Sequence, residues 1–282
     1  PGWHAPAGRY PAELSGPGET RATLELEVDA EGTAVLPHPA LETAYRNAAS
    51  PYRMTPVLLA VTLPERPYQC RIVLGDSRRE ADFPRGEIRK TPVGNRIFVD
   101  GKPWGVFTSH FDYNGRADME KAFSADAVRD FAATGMTGSL VILAPYKYMY
   151  NGKFDLDGFM AEFERAAAEI VAENPAAQFE VQFFLYTSTD WNDRHSDELI
   201  KLDNGKTTLA HAYRKELQPS YASASWRRDM GEITRQSVAA LRRSGFADRI
   251  ATFRLLYANC GEWNHWGYHE EAYVDYSMPM QR

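Results

Sequence analysis

The sequence predicts a multidomain protein, with an antiparallel β domain followed by an α/β domain. Between residues 20 and 94, short runs alternate apolar and polar positions and are separated by turn residues, which is typical of antiparallel strands. After residue 95, near-continuous apolar runs alternate with helical patterns, which indicates strands buried on both faces. The repeated order of strand and helix predicts parallel strands joined by right-handed crossovers.

The N-terminal domain, residues 1–94, is predicted to be a small antiparallel β-sandwich. Residues 1 to about 18 are rich in Pro and Gly and predict an irregular arm. Leu24, Leu26 and Val28 alternate with polar residues, which predicts a half-buried strand that ends at a turn near Gly32. Further strands are predicted for TPVLLAVTLP, YQCRIVLGD and EIRKTPVG, and a short helix for PALETAYRNA.

The C-terminal domain, residues 95–282, opens with two predicted strands around an Asp-Gly turn at residues 100–101. A helix from Ser124 to Gly135 follows, and two more have apolar periodicity at 159–170 and 226–241. The buried strands are predicted for GSLVILAP, FEVQFFLYTS and IATFRLLYA. About four strand-helix units fit, whereas a closed eight-stranded barrel needs roughly 250 residues. These residues therefore predict either a smaller open α/β sheet or the first half of a barrel.

Composition argues against several classes of partner and cofactor. The formal net charge of -6 gives no electrostatic footprint for nucleic acid or for an anionic membrane, since both would select a basic face. Cys70 and Cys260 are far apart in sequence and predict no disulfide. The chain has no Gly-rich nucleotide motif and no Gly-x-Ser-x-Gly elbow. No cofactor or metal is expected.

Polar and aromatic residues follow each predicted strand, at the edge where parallel α/β folds bind ligands. The four strand ends read SHFDYNG, APYKYMYNG, YTSTDWNDRH and NCGEWNHWGYH. They offer the candidate residues His110, Asp112, Tyr146, Tyr148, Trp191, Asn192, Asn259, Glu262, Trp263 and Trp266. Burial beside tryptophans raises the pKa of a carboxyl group, so Glu262 is the strongest candidate for a general acid.

Each candidate also has a structural interpretation. His110 and Asp112 fit a strand cap, and Trp191 fits packing beneath a lid. Tyr146 and Tyr148 alternate with Tyr150, as on one face of an ordinary loop. A solvated surface acid is the alternative for Glu262.

A metal site is a weaker alternative. His265 and His269 lie four residues apart, a separation that places two imidazoles on one helical face, but Gly267 between them disfavours a helix. A metal-dependent hydrolase would use His110, Asp112, His265 and Glu262.

Two segments resemble a known family. IFVDGKPWGVF looks like the start of the barrel in many retaining glycoside hydrolases. The run from YASASWRRDM to DYS resembles the segment before and across strand four of β-galactosidase-like members of glycoside hydrolase clan A. The resemblance covers roughly residues 93–282. It implies an accessory β-sandwich followed by the first half of a (β/α)8 TIM barrel.

The resemblance also implies roles for individual residues. Glu262 takes the position of the acid/base carboxylate after strand four, and the nucleophile is expected on strand seven, beyond these residues. Sugar platforms are expected at Tyr146, Trp191, Trp263 and Trp266, and hydroxyl contacts at His110, Asp112, Asn192 and Asn259. Gly261 precedes Glu262, where the family usually has Asn.

The expected partner is a carbohydrate substrate, together with a second chain or a C-terminal segment that completes the barrel. The 282 residues alone are therefore expected to be inactive. A secreted or periplasmic location is expected, although no signal peptide is present in PGWHAPAGRY. The alternative function is a carbohydrate-binding protein that does not hydrolyse its ligand.

Overall fold

The molecule is a mixed α/β protein with antiparallel sheets toward its N-terminus and a parallel sheet toward its C-terminus. The computed structural model describes residues 5–16, 21–47, 50, 52–65, 67–75, 82–104, 125–207, 217–256 and 273–281. No helix within these ranges is long and apolar enough to cross a membrane.

The first sheet has five antiparallel strands in the order β3-β2-β1-β4-β5. The strands are β1 (Gly8–Ser15), β2 (Arg21–Val28), β3 (Ala34–Val35), β4 (Met54–Thr62) and β5 (Pro67–Gly75). Helix α1 (His38–Asn47) contacts this sheet, and Ala44 joins the core formed by Leu14, Leu26 and Val57. The antiparallel strands predicted for this region are present, and this sheet is compatible with a β-sandwich.

Strand β1 corrects the prediction of an irregular arm at residues 1–18. It lies inside the sheet, paired with β2 on one side and with β4 on the other. Tyr10, Ala12 and Leu14 are buried at alternate positions, so the two-residue period of a strand is present in GRYPAELS. Pro11 and the nearby glycines, which usually interrupt strands, conceal that period in the sequence.

A second antiparallel sheet follows, made of β6 (Gly86–Thr91), β7 (Gly94–Val99) and β8 (Lys102–Pro103). The predicted Asp-Gly turn is confirmed, because Asp100 and Gly101 have φ of 48° and 75°, the positive values of a type I′ hairpin turn. The domain boundary predicted at residue 94 falls between the paired strands β6 and β7. One hydrogen-bonded sheet spans that position, so a boundary must lie to one side of it.

The third sheet is parallel and has the order β13-β12-β9. Its strands are β9 (Gly138–Leu143), β12 (Gln178–Phe184) and β13 (Ile250–Leu256). The connections contain α2 (Ala125–Ala133), β10 (Met149–Tyr150), β11 (Lys153–Phe154), α3 (Leu156–Glu173), α4 (Thr189–Arg194) and α5 (Ala224–Arg243); α6 (Met278–Gln281) lies near the C-terminus. Strand order in space follows strand order in the chain, and all three carboxyl ends lie at one edge.

The main helices pack on one face of the parallel sheet. Phe179, Val181 and Phe183 of β12 share a core with Phe159 and Phe163 of α3, and α5 extends the same core. Glu180 and Gln182 alternate with them and lie on the opposite face, where both are buried. The side-chain amide of Gln182 donates to Glu180 over 2.6 Å, and Arg254 of β13 approaches the same carboxylate oxygen to 2.9 Å. On β12, one face is therefore apolar and the other is polar, and Leu140 and Ile142 of β9 lie beside Glu180 and Gln182 on that second face.

Local signals explain where the helices start and stop. The Asp155 carboxylate accepts from the Gly158 amide and caps α3, and the Ser223 hydroxyl accepts from the Trp226 amide and caps α5. Gly135, with φ of 85°, follows α2 as the sequence predicts. The predicted cap Ser124 and the predicted strand through residues 106–107 lie outside the described residues.

Candidate functional site

A cavity of about 470 Å³ lies between the antiparallel sheet and α3, and a larger one lies at the carboxyl ends of the parallel strands. The larger cavity has a volume of about 670 Å³. It is lined by the segments that follow β9 and β12, namely Tyr146, Lys147, Met149 and Tyr150, then residues 187–190, Asn192, Asp193 and Leu217. Two of the four strand ends that the sequence selects therefore meet at one cavity.

The wall after β9 is a short hairpin. Residues 145–148 form a 3-10 turn, and β10 and β11 then pair around Asn151 and Gly152, whose φ values of 50° and 72° fit an Asn-Gly turn. Burial and a hydrogen bond of 2.7 Å to Glu162 raise the pKa of Tyr148, so its hydroxyl stays protonated and ties this wall to α3. The hairpin is thus held in a defined position.

This hairpin presents two tyrosines differently. Tyr150 is 63% exposed and lines the cavity, so one aromatic ring is available to a ligand. Tyr146 also lines the cavity but is only 8% exposed, with its ring packed edge-on against Tyr186 at 5.6 Å. The predicted platform at Tyr146 is therefore a largely buried wall residue, and Tyr150 is the better platform.

The wall after β12 is formed by α4 and the residues before it. The Ser188 hydroxyl accepts from the Trp191 amide and caps the helix. The Thr187 hydroxyl donates to the side-chain oxygen of Asn192 over 2.6 Å, and both groups are buried. Asn192 therefore lies at the predicted cavity, with its amide oxygen already engaged by the protein.

Charged groups of both signs reach the same cavity. Asp190 forms an ion pair of 2.9 Å with Arg194, and Asp193 is exposed. Lys147 lines the opposite wall. An exposed ring surrounded by hydroxyls, an amide and carboxylates suits a ligand with both an apolar face and many hydroxyl groups, as a sugar ring has.

Trp191 is not a platform, which corrects the sequence-based prediction. Its side chain is fully buried, its Nε1 donates to Asp229 of α5 over 2.9 Å, and its ring stacks on His195 at 4.4 Å. Both ring faces are packed inside the protein. Trp191 therefore fixes α4 against α5, and its neighbours Asp190 and Asn192 line the cavity.

The remaining predicted site residues lie outside the described residues. They are His110, Asp112, Asn259, Glu262, Trp263 and Trp266, together with His265 of the metal alternative. Strand β13 ends at Leu256, six positions before Glu262, and the Leu256 carbonyl accepts from the Leu185 amide over 2.8 Å. The chain thus leaves β13 beside the segment that lines the cavity. Within the described ranges, no group of three His, Cys, Asp or Glu side chains could hold a metal ion.

Most residues that line the cavity are absent from the predicted site, among them Lys147, Tyr150 and Asp193. A usable signal was present for Tyr150, because an Asn-Gly pair directly after it predicts a hairpin that exposes flanking side chains. Lys147 and Asp193 carry no comparable signal, since isolated charged residues in polar loops are common.

Comparisons with known proteins give distant structural similarity only. No protein-family model matches the chain, and no curated protein matches it. A Bacteroides uniformis β-glucuronidase superposes with a TM-score of 0.32 and 10% identity over 91% of this chain and 30% of that chain. A Parabacteroides merdae β-glucuronidase with glycerol in its active site superposes with a TM-score of 0.24 and 12% identity. The match covers 64% of this chain and 20% of that chain.

A third structure is Bacteroides uniformis β-glucuronidase 2 covalently bound to cyclophellitol-6-carboxylate aziridine, with a TM-score of 0.30 and 9% identity. It is matched over 88% of this chain and 29% of its own. The chain spans less than a third of the length of these three enzymes. TM-scores in this range do not establish a common fold.

Proposed function

We propose that the chain is part of a retaining glycoside hydrolase, in which Glu262 is the general acid/base. The observation that carries the proposal is the 670 Å³ cavity at the carboxyl ends of β9 and β12, with the exposed ring of Tyr150 beside hydroxyl, amide and carboxylate groups. Ligands of parallel α/β folds bind at this edge. Glu262 follows the third strand of the same sheet by six residues.

The strand order and the placement of the helices favour the first half of a (β/α)8 barrel and argue against an open, doubly wound sheet. Strands that are adjacent in sequence are adjacent in space, and α2, α3 and α5 pack side by side. A doubly wound sheet reverses its strand order and has helices on both faces. The buried carboxylate of Glu180 on the other face is unlike a surface packed against amphipathic helices.

The chemistry requires one carboxyl group that changes role. Glu262 would first protonate the departing glycosidic oxygen, while a second carboxylate attacks the anomeric carbon and forms a glycosyl-enzyme intermediate. Glu262 would then take a proton from water as the water displaces that carboxylate. The second carboxylate is not assigned to any of these 282 residues, and a C-terminal segment or second chain would supply it.

Replacing Glu262 tests the proposal in the full-length protein. We expect Glu262→Gln to lower kcat on glycosides with poor leaving groups by about 10²- to 10⁴-fold, the usual contribution of general acid catalysis, while ligand affinity is retained. Aryl glycosides with good leaving groups need less protonation, so the rate of their first step, cleavage of the glycosidic bond, should fall by a smaller factor. Glu271→Gln, a carboxylate nine positions further on, is the matched control and should keep its activity.

Three other outcomes distinguish the alternatives. Unchanged hydrolysis by the Glu262→Gln protein removes Glu262 from the acid/base role. Sugar binding in calorimetry without turnover of any glycoside would support the carbohydrate-binding function, for which the exposed Tyr150 ring offers a contact surface. Loss of hydrolysis in a chelator, restored by a divalent metal, would support the metal-dependent hydrolase.

A further inference from the structure

The sheet formed by β6, β7 and β8 concentrates positive charge on a chain that is acidic overall. Residues 85–102 contain five basic and two acidic side chains, a net charge of +3, whereas the formal net charge of the whole chain is -6. The five basic residues are all exposed: Arg85, Arg89, Lys90, Arg96 and Lys102. The sheet therefore presents a local field opposite in sign to that of the rest of the protein.

Two of these arginines lie directly opposite each other. Arg89 of β6 is the cross-strand partner of Arg96 of β7, so their side chains project from the same face of the sheet. Like charges at directly opposed positions destabilise an antiparallel pair. An anion bound between the two guanidinium groups would remove this repulsion.

The groups around the two arginines neutralise only one of them. Arg89 forms a hydrogen bond with Glu87, and its guanidinium carbon lies 4.4 Å from the centre of the Phe98 ring. No carboxylate forms an ion pair with Arg96 among the residues that the structure describes. Arg89 is thus oriented by the ring and by Glu87, and Arg96 keeps an unneutralised charge beside it.

The cations are divided between the two faces of the sheet. Arg89 and Arg96 share one face with Glu87 and Phe98, because Arg89 pairs with Arg96 and Glu87 with Phe98. Lys90 pairs with Asn95 and Lys102 with Val99, so both lysines project from the other face. The two arginines therefore form one site for an anionic group, and a polymer that repeats such a group offers it many times.

We propose that this sheet binds an acidic polysaccharide, whose sugar units carry carboxylate or sulfate groups. The choice of a glycan rests on the proposed function, because a surface that holds a polymeric substrate raises its effective concentration at the cavity. The planar guanidinium groups of Arg89 and Arg96 match carboxylate and sulfate oxygens, which accept paired N–H hydrogen bonds.

Binding of defined polymers to the purified chain tests the proposal. We expect polygalacturonate or dextran sulfate to bind more tightly than neutral dextran, and the affinity to fall as salt is added. Removing both arginines, in Arg89→Gln with Arg96→Gln, should weaken acidic-glycan binding about tenfold, as expected for two exposed charge contacts. The two acidic polymers separately report carboxylate and sulfate recognition.

The control variant removes the same charge from other exposed sites, with Lys206→Gln and Arg227→Gln, and should bind the acidic glycans as the unmodified chain does. The proposal would be overturned if dextran bound as tightly as the acidic glycans. It would also be overturned if the control variant lost as much affinity for them as the double arginine variant. An oligonucleotide of similar charge that binds as tightly as the glycans would likewise overturn it. Circular dichroism and thermal unfolding of both variants establish that they are folded.

A second measurement separates this proposal from the hydrolase proposal. Short neutral aryl glycosides should be hydrolysed equally by the full-length protein with and without Arg89→Gln and Arg96→Gln, because neither arginine lines the cavity. Acidic-glycan binding by a protein without hydrolytic activity would refute the hydrolase and leave the binding surface intact. Hydrolysis without acidic-glycan binding would refute the surface alone.

Discussion

Tyr150 and Trp191 have opposite environments although both follow strands that end at the same cavity. Tyr150 is 63% exposed at an Asn-Gly hairpin, whereas Trp191 is fully buried and hydrogen-bonded to Asp229. Aromatic residues serve as platforms only where a ring face remains open. Of the two side chains, only that of Tyr150 has a ring face open to a ligand.

Tyr150 should contribute directly to sugar affinity. We expect Tyr150→Ala to weaken binding of a cavity ligand about five- to tenfold, since an aromatic contact is worth about 1 kcal/mol, while thermal stability changes little. Tyr150→Phe keeps the ring and should bind nearly normally. Tyr273→Ala, at a tyrosine that is 76% exposed, is the matched control. Calorimetric titration measures the affinities, and an unchanged affinity in Tyr150→Ala would exclude the platform.

At the scale of elements, the wall formed by α4 is fixed by contacts with α5. Trp191 donates to Asp229, and the Glu198 carboxylate accepts from the hydroxyls of Ser223 and Ser225 at the start of α5. The two Ser hydrogen bonds lower the pKa of Glu198 against the opposing effect of burial, which is the largest influence on it. Glu198 therefore stays ionised at neutral pH and keeps both hydroxyls bound.

Breaking the link between α4 and α5 should loosen this wall. Asp229→Leu leaves the buried Nε1–H of Trp191 without an acceptor, and we expect a loss of about 1–3 kcal/mol in the free energy of unfolding. Asp229→Asn retains a side-chain oxygen that can accept this hydrogen bond, so its free energy of unfolding should fall by a smaller amount. Urea denaturation followed by tryptophan fluorescence measures both variants. Equal losses in the two variants would show that the hydrogen bond to Trp191 is not the stabilising contact.

For the whole molecule, Arg249 joins the first antiparallel sheet to the α/β unit. Its fully buried guanidinium donates to the carbonyls of Pro175, Ala177 and Met54 at 2.7–2.9 Å and lies 3.8 Å from the ring centre of Tyr52. Burial lowers the pKa of Arg249 to about 10, so the side chain remains a cation at neutral pH. One side chain thus connects three chain segments.

Removing this connection should reduce global stability. Arg249→Met keeps much of the volume but leaves three carbonyls without their donor, and we expect a loss of about 3 kcal/mol or more in the free energy of unfolding. Arg243→Met, at an exposed position in the last turn of α5, should change it by less than about 0.5 kcal/mol. Chemical denaturation of both proteins measures the difference. A loss below about 1 kcal/mol in Arg249→Met would contradict the proposed connection.

Local sequence patterns determined most of the secondary structure. The strands β9, β12 and β13, the helices α3 and α5, and the turns at Asp100 and Gly135 follow from periodicity, caps and residues suited to positive φ. These signals act over a few residues, so the sequence alone carries them. The same local signals predicted a ligand edge after β9 and β12, where the cavity lies.

Only the tertiary structure decided which side chains face that cavity. Trp191 is buried because it packs against α5, a contact that is distant in sequence, whereas Tyr150 stands on a local hairpin that leaves its ring exposed. The placement of β1 inside the first sheet and the burial of Arg249 likewise depend on partners far along the chain. Periodicity in the sequence specifies a helix or a strand, whereas the burial of its side chains depends on which distant parts of the chain pack against it.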